Sequence, residues 1–451
     1  MKGKSLFKVD FLHGPIIKSV IIFAIPLLIS SLFQQLYNMV DTMIIGHYLG
    51  DSSLAAMGAC SSIYSLIVGF ALGIGSGMSI VNARSFGAGD LDKLKRCVAS
   101  SICIGLLVAM TVTVLGRFIL RPILELLNTP ADIIDEAYTY VSTIVSGAIV
   151  TLTYNLCSGM LRAIGNSFMP LVFLIVSSIL NVCLDLLFIV QFSMGVRGAA
   201  IATVMAQGVS AVLCATYILK KTPMLVPKRE HFKFDRELWK ELLGQGISMA
   251  LMGSIVSIGT VILQYGINGF GSLVIVAHMA ARKIYSLFCL AINTTSMAVS
   301  TFVSQNKGAG NRERIVKVMK YAYIYDVIMA CLITVALWVF GERLVIFLTG
   351  TDNEIVLSNA MLYLRIIGPF LAILGMLLQT RSALQGIGEK LLPIMSSVIE
   401  MVGKILFSIF IIPKFGYFAV IICEPVIWCV MVAELIVSFW KNPFIRGAKT
   451  A

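Results

Sequence analysis

The chain is a succession of apolar runs, each as long as a bilayer is thick and separated by short polar breaks. Twelve such runs lie at about residues 16 to 45, 53 to 82, 97 to 120, 133 to 158, 168 to 190, 197 to 219, 239 to 266, 272 to 303, 319 to 340, 355 to 380, 391 to 412 and 416 to 440. About 20 consecutive apolar residues carry a helix across the hydrocarbon core. The expected architecture is therefore an all-α polytopic membrane protein with twelve transmembrane helices. Composition agrees, since 58% of residues are hydrophobic and 13% charged, against about 45–50% apolar in a soluble domain.

The formal net charge of +12 does not point to nucleic acid, because the basic residues are sorted by side. With the amino terminus inside, 26 of the 35 Lys and Arg fall on inner segments. Five (Arg117, Arg121, Arg197, Arg343 and Lys414) fall outside, and four (Arg282, Lys283, Arg365 and Lys404) fall within spans. This bias predicts both termini in the cytoplasm of a multi-pass protein of the cell membrane, with anionic lipid head groups as the contact for the basic excess. The basic start MKGKSLFKVDFLHGPIIK is followed by an apolar run with no small-residue cleavage site, so that run is read as the retained first span.

The charged stretch Lys220 to Lys240, with Pro223 and Pro227, divides the spans six and six. The expected organisation is an N-terminal six-helix lobe (1–219), a cytoplasmic linker (220–238), a C-terminal six-helix lobe (239–440) and a cytoplasmic tail (441–451). The halves repeat each other. FGAGDLDK (86–93) matches KGAGNRER (307–314), and LRAIGNSFMP (161–170) matches LQGIGEKLLP (384–393). With an even number of spans in each half, the repeats run parallel, and transporters built that way hold substrate between the halves near mid-membrane. The GAG turns lack the GK[ST] ending of a phosphate loop and read as tight reversals. Gly69, Gly73 and Gly77 have the small-xxx-small spacing that brings helices close.

Chemistry concentrates in the first half. In SSLFQQLYNMVDTMII (30–45), Gln34, Tyr37, Asn38 and Asp41 share one helical face, and in the fifth span Ser178, Asn181 and Asp185 do the same. Carboxylates inside spans mark ion or proton paths, and two in one bundle predict a shared proton site. Asn155, Thr203 and Gln207 either line the same cavity or bond across helices. The second-half spans hold Gln264, Asn293, Glu400, Lys404, Glu424 and Glu434. Glu400 and Lys404 have the i, i+4 spacing of a structural ion pair. Met249, Met252, Met279, Met297 and Phe288 are expected either to pack or to form a soft wall for apolar ligands. Ten scattered Cys and four dispersed His give no metal-ligand spacing, and no HExxH or GxSxG argues for an enzyme.

The two six-span halves, the start GPIIKSVIIFAIPLLISSLFQQLYNMVDTMIIGHYLG, the GAG turns and the LRAIGNSFMP segment together resemble the multidrug and toxic compound extrusion (MATE) family. The likeness is to its prokaryotic branch with the coupling site in the N-terminal half. It implies coupling residues at Asp41, Asn181, Asp185 and Asn155, with Thr203 at a further polar position. It also implies export of small organic cations in exchange for inward protons or sodium ions, no cofactor and a monomer among membrane lipids. The seventh span, 246–266, contains no acid, which removes the second-half sodium site of the other branch. A sodium site at Asp41, Asn181 and Asp185 stays open. The implied mechanism is alternating access, with Pro26 as the flexible point of the first span, because proline removes a backbone hydrogen bond. The wall of the substrate cavity is expected from Gln34, Tyr37, Asn38, Gln207, Gln264, Met249, Met252 and Phe288. A lipid-linked oligosaccharide flippase, the rival transporter, would line its cavity with Arg and Lys. An intramembrane enzyme or a sensor are the rivals from other classes.

Overall fold

The computed structural model describes residues 8–127 and 129–447, without the side chains of 61 and 62. The basic residues at 2, 4 and 449 lie outside it. The elements are helices throughout: α1 (Ile16–Leu49), α2 (Asp51–Gly87), α3 (Leu91–Leu126), α4 (Ile134–Ser146), α5 (Ala148–Ala163), α6 (Phe168–Asp185), α7 (Gly195–Lys221), α8 (Arg236–Asn268), α9 (Ser272–Gly308), α10 (Arg312–Thr349), α11 (Glu354–Ile387), α12 (Leu391–Leu406), α13 (Ile412–Phe415), α14 (Tyr417–Lys441) and α15 (Pro443–Arg446). Eleven helical stretches are long and apolar enough to cross a membrane, and the bent pair of α4 and α5 makes a twelfth. Large apolar side chains such as Leu36, Phe118, Val212 and Phe347 are exposed on the helices. Water would penalise such a surface and hydrocarbon accepts it.

The fourth span, read from sequence as one continuous run, is bent by 48° at its break. Gly147 sits at that break, where a Cβ would fall 2.6 Å from the methyl groups of Val204 on α7. Only glycine lets α7 approach so closely.

The repeat seen in sequence is a repeat of backbone. Gly89 and Gly310 close the two GAG turns with the same φ of 72°, a left-handed conformation that glycine adopts without strain. Gly165 and Gly388 hold the same place in the second matched pair of segments, with φ of 89° and 105°. The α6 helix continues into a π-helical turn, Leu186–Gln191, and α12 into another, Phe407–Ile411.

The chain folds as two compact units. One comprises Ile25–Ala250 together with the short stretch ending at Asp10, and the other comprises Phe11–Ala24 with Leu251 onward. The sequence division gave residues 1–219 and 239–440 to separate lobes. The compact units instead assign the start of α1 to the second and the start of α8 to the first. Packing supplies the reasons. Phe11 stacks edge-on against Phe23 and Phe302, while Asn306 and Arg314 hold the Phe11 carbonyl at 3.1 and 3.0 Å. In the first unit, a Cβ on Gly73 would lie 2.5 Å from Ala250 Cα, and one on Gly77 would lie 2.4 Å from the Gln245 carbonyl oxygen. An ion pair between Arg84 and Glu241, 3.0 Å long, closes the same crossing of α2 and α8.

The segment after α7 is attached, not loose. Leu225 is buried with Leu94 and Val98 of α3 in one apolar cluster, and His231 Nε2 lies 3.2 Å from Asp92 Oδ1.

Gly77→Ala is expected to destabilise the protein by about 1–3 kcal/mol through overpacking. Gly69→Ala, whose Cβ would meet nothing within 4 Å, is expected to be neutral. Thermal unfolding of both variants in detergent checks the contrast, which disappears if the α2–α8 crossing is not close.

Candidate functional site

Three helices of the first unit converge on one buried polar group. Asp41 comes from α1, Asn181 and Asp185 from α6, and Thr203 from α7. Their exposures are 7%, 1%, 0% and 5%. The two carboxyl groups meet within hydrogen-bonding reach. The Asn181 amide, oriented to satisfy both of its ends, donates to Asp185 Oδ2 at 2.8 Å and accepts from the Thr203 backbone N–H at 3.2 Å. The Tyr37 hydroxyl lies 3.3 Å from Thr203 Oγ1. Local sequence explains the convergence: Tyr37 and Asp41 are one turn apart, as are Asn181 and Asp185, so each pair presents both members to the same neighbour.

Asp185 is also the last residue of α6 before its π-helical turn. Such turns widen the helix and recur at functional sites. One oxygen of each carboxyl, Oδ1 of Asp41 and Oδ1 of Asp185, is buried without a hydrogen-bond partner. No Lys or Arg forms an ion pair with either carboxyl among the described residues. Two carboxyl groups in contact repel each other when both are charged.

Other expected residues lie elsewhere in the first unit. Asn155 donates to the Thr151 carbonyl of its own helix at 2.8 Å, and Gln207 accepts from Thr151 Oγ1 at 2.6 Å. Gln34 and Asn38 continue the α1 stripe as exposed side chains, and Met249 is half-buried. Pro26 is buried inside an unbroken α1, with Ser30 Oγ donating to its carbonyl at 2.8 Å. Tyr64 on α2 and Tyr140 on α4, which the sequence does not single out, pack into one cluster with Val40, Ile44 and Ile45 of α1. A lone tyrosine in an apolar run carries no signal of that kind.

The MatE family model matches this chain twice, over residues 26–187 and 248–410. The chain belongs to the MatE family. It is 25% identical over 370 residues to the probable multidrug resistance protein YpnP of Bacillus subtilis, with 81% of this chain and 82% of that protein covered. It is likewise 25% identical over 435 residues to the probable multidrug resistance protein NorM of Thermotoga maritima, covering 93% and 89% of the two chains. Among solved structures, an outward-facing multidrug resistance MATE family transporter of the MOP superfamily superposes with a TM-score of 0.88, over 100% of both chains and at 23% identity. The fold is the twelve-helix, two-lobed MATE fold, and the protein is a membrane transporter, not an enzyme.

The second unit of this MATE transporter carries a different polar group. Glu424 Oε1 receives Arg282 Nη1 at 2.9 Å and lies 3.5 Å from Lys404 Nζ, which also meets Glu400 Oε1 at 2.8 Å and Thr260 Oγ1 at 3.3 Å. The expected Glu400–Lys404 pair is thus part of a chain of four charges that sums to zero. Both cations have carboxylate partners, unlike the open Arg and Lys lining expected of a flippase. Gln264 donates to Asn268 Oδ1 at 2.9 Å, Met252 Sδ accepts from Gln385 Nε2 at 3.2 Å, and Phe288 is half-buried.

Glu424→Leu leaves buried Lys404 and half-buried Arg282 short of one partner and is expected to cost about 3–5 kcal/mol. A melting temperature equal to wild type in detergent would show that the network does not hold this unit together.

Proposed function

We propose that this MATE transporter is a secondary active multidrug efflux antiporter that exports cationic, amphipathic compounds in exchange for protons. The observation that carries this reading is the contact between Asp41 and Asp185, buried and without a basic partner among the described residues. Substrate cation and proton compete for the same negative charge: the ionised pair attracts the cation, and protonation discharges the pair and favours release. Sodium would compete in the same way at Asp41, Asn181 and Asp185, but an ion between the carboxyl groups would separate them, so their direct contact supports the proton. The relatives in Bacillus subtilis and Thermotoga maritima, both named as probable multidrug resistance proteins, support the substrate class. The positive-inside bias supports a plasma-membrane orientation with both termini in the cytoplasm.

Alternating access needs a helix that bends. Pro26 is the residue proposed for that role, because α1 leaves one compact unit for the other between Ala24 and Ile25 and proline cannot donate the hydrogen bond that would stiffen the helix there.

Asp41→Asn is expected to abolish ethidium efflux driven by a pH gradient in proteoliposomes, with expression and melting temperature unchanged. Efflux at the wild-type rate would sink the assignment, and efflux driven by sodium but not by pH would transfer the site to that ion. Pro26→Ala is expected to slow efflux several-fold without loss of folded protein, measured in the same vesicles.

A further inference from the structure

The span formed by α10 contains an acid that the site above does not use. Asp326 is fully buried, with 0% exposure, and forms no ion pair among the described residues. Its helix packs against α9 and α11. Gln379 on α11, also 0% exposed, donates Nε2 to Asp326 Oδ1 at 3.3 Å. One turn earlier on α11, Gly375 clears the space, since a Cβ there would fall 2.6 Å from Asp326 Cγ.

The atoms left over are informative. Asp326 Oδ2 and Gln379 Oε1 are both buried without a hydrogen-bond partner, and both are acceptors when the carboxyl is ionised. A carboxylate here would leave two acceptors unsatisfied and one charge uncompensated, which costs free energy in a buried site. One proton on Oδ2 would supply the single missing donor, beside the N–H that Gln379 already gives to Oδ1. The titratable side chains beside it on its own helix are Tyr325 and Tyr323, and the Tyr323 hydroxyl is already engaged in a 2.8 Å hydrogen bond with Thr380 of α11.

We propose that Asp326 and Gln379 form a second, reversible proton site in this transporter, carried by the compact unit that lacks the Asp41–Asp185 pair. Loading adds one proton from water to the Asp326 carboxylate, and release returns it. An asparagine would give Gln379 a permanent amide partner with the same geometry; what an aspartate adds is the capacity to lose the donor. The role in transport rests on the reading of proton-coupled export, while proton binding itself does not.

The test is infrared difference spectroscopy of the full-length protein in liposomes, titrated with pH, alongside the ratio of protons taken up to ethidium exported. The wild type is expected to show at neutral pH the carbonyl band of a protonated carboxyl that disappears as pH rises. Asp41→Asn is expected to retain that band and Asp326→Asn to lack it. Gln379→Leu, which keeps the acid and removes its partner, is expected to shift the band to higher frequency and guards against a folding defect in Asp326→Asn. Asp326→Asn is expected to export ethidium with a lower proton ratio. Absence of an Asp326 band at neutral pH, a band that never titrates while the protein stays folded, or an unchanged proton ratio would overturn the proposal. If wild-type vesicles move no ethidium at all, the exporter reading falls, and the titration still decides whether the pair binds a proton.

Discussion

A helix in hydrocarbon must satisfy its own backbone polar groups, and this requirement shapes everything else in the molecule. Because the backbone is self-sufficient, the surface of each helix is free to be apolar, and polar side chains are tolerated only where two helices face each other. Asp41, Asn181, Asp185 and Thr203 meet in one such place. Arg282, Glu424, Lys404 and Glu400 meet in another. The close crossings at Gly73 and Gly77 and at Gly147 belong to the same economy, since helices that gain little from expelling water must gain from contact.

The two polar groups solve the burial of charge in opposite ways. In the network of the second unit Arg282 and Lys404 each have a carboxylate partner, and the four charges sum to zero. In the first unit acid meets acid, with no basic partner among the described residues. A neutral network stiffens its surroundings; an incomplete one responds to what surrounds it. This difference is why the carboxyl pair, and not the more numerous charges around Glu424, is the site proposed for coupling.

Much of this was legible in the sequence. Run length gave the spans, and helical spacing put Tyr37 with Asp41 and Asn181 with Asp185 because both partners of each pair lie on one helix. The GAG and LRAIG repeats were legible because left-handed turns require glycine at fixed positions. What escaped was whatever depends on a partner distant in sequence. Asp326 stands in its span with no amide or second acid at helical spacing, and Gln379 lies 53 residues away. The bend at Gly147 depends on Val204, and the passage of α1 and α8 between the compact units depends on Phe302, Ala250 and Gln245, none of which local periodicity reveals.

The paired π-helical turns share a place in the two halves but not a chemistry. Leu186 and Phe407 open the same irregularity at corresponding points of the two halves, yet the residue before the first is Asp185 and the residue before the second is Leu406. A π-helical turn widens a helix and re-aims the side chains on either side of it. In one half that widening adjoins a buried carboxyl, and in the other an apolar side chain, so the same distortion of backbone is joined to chemistry once and stands as shape alone the other time.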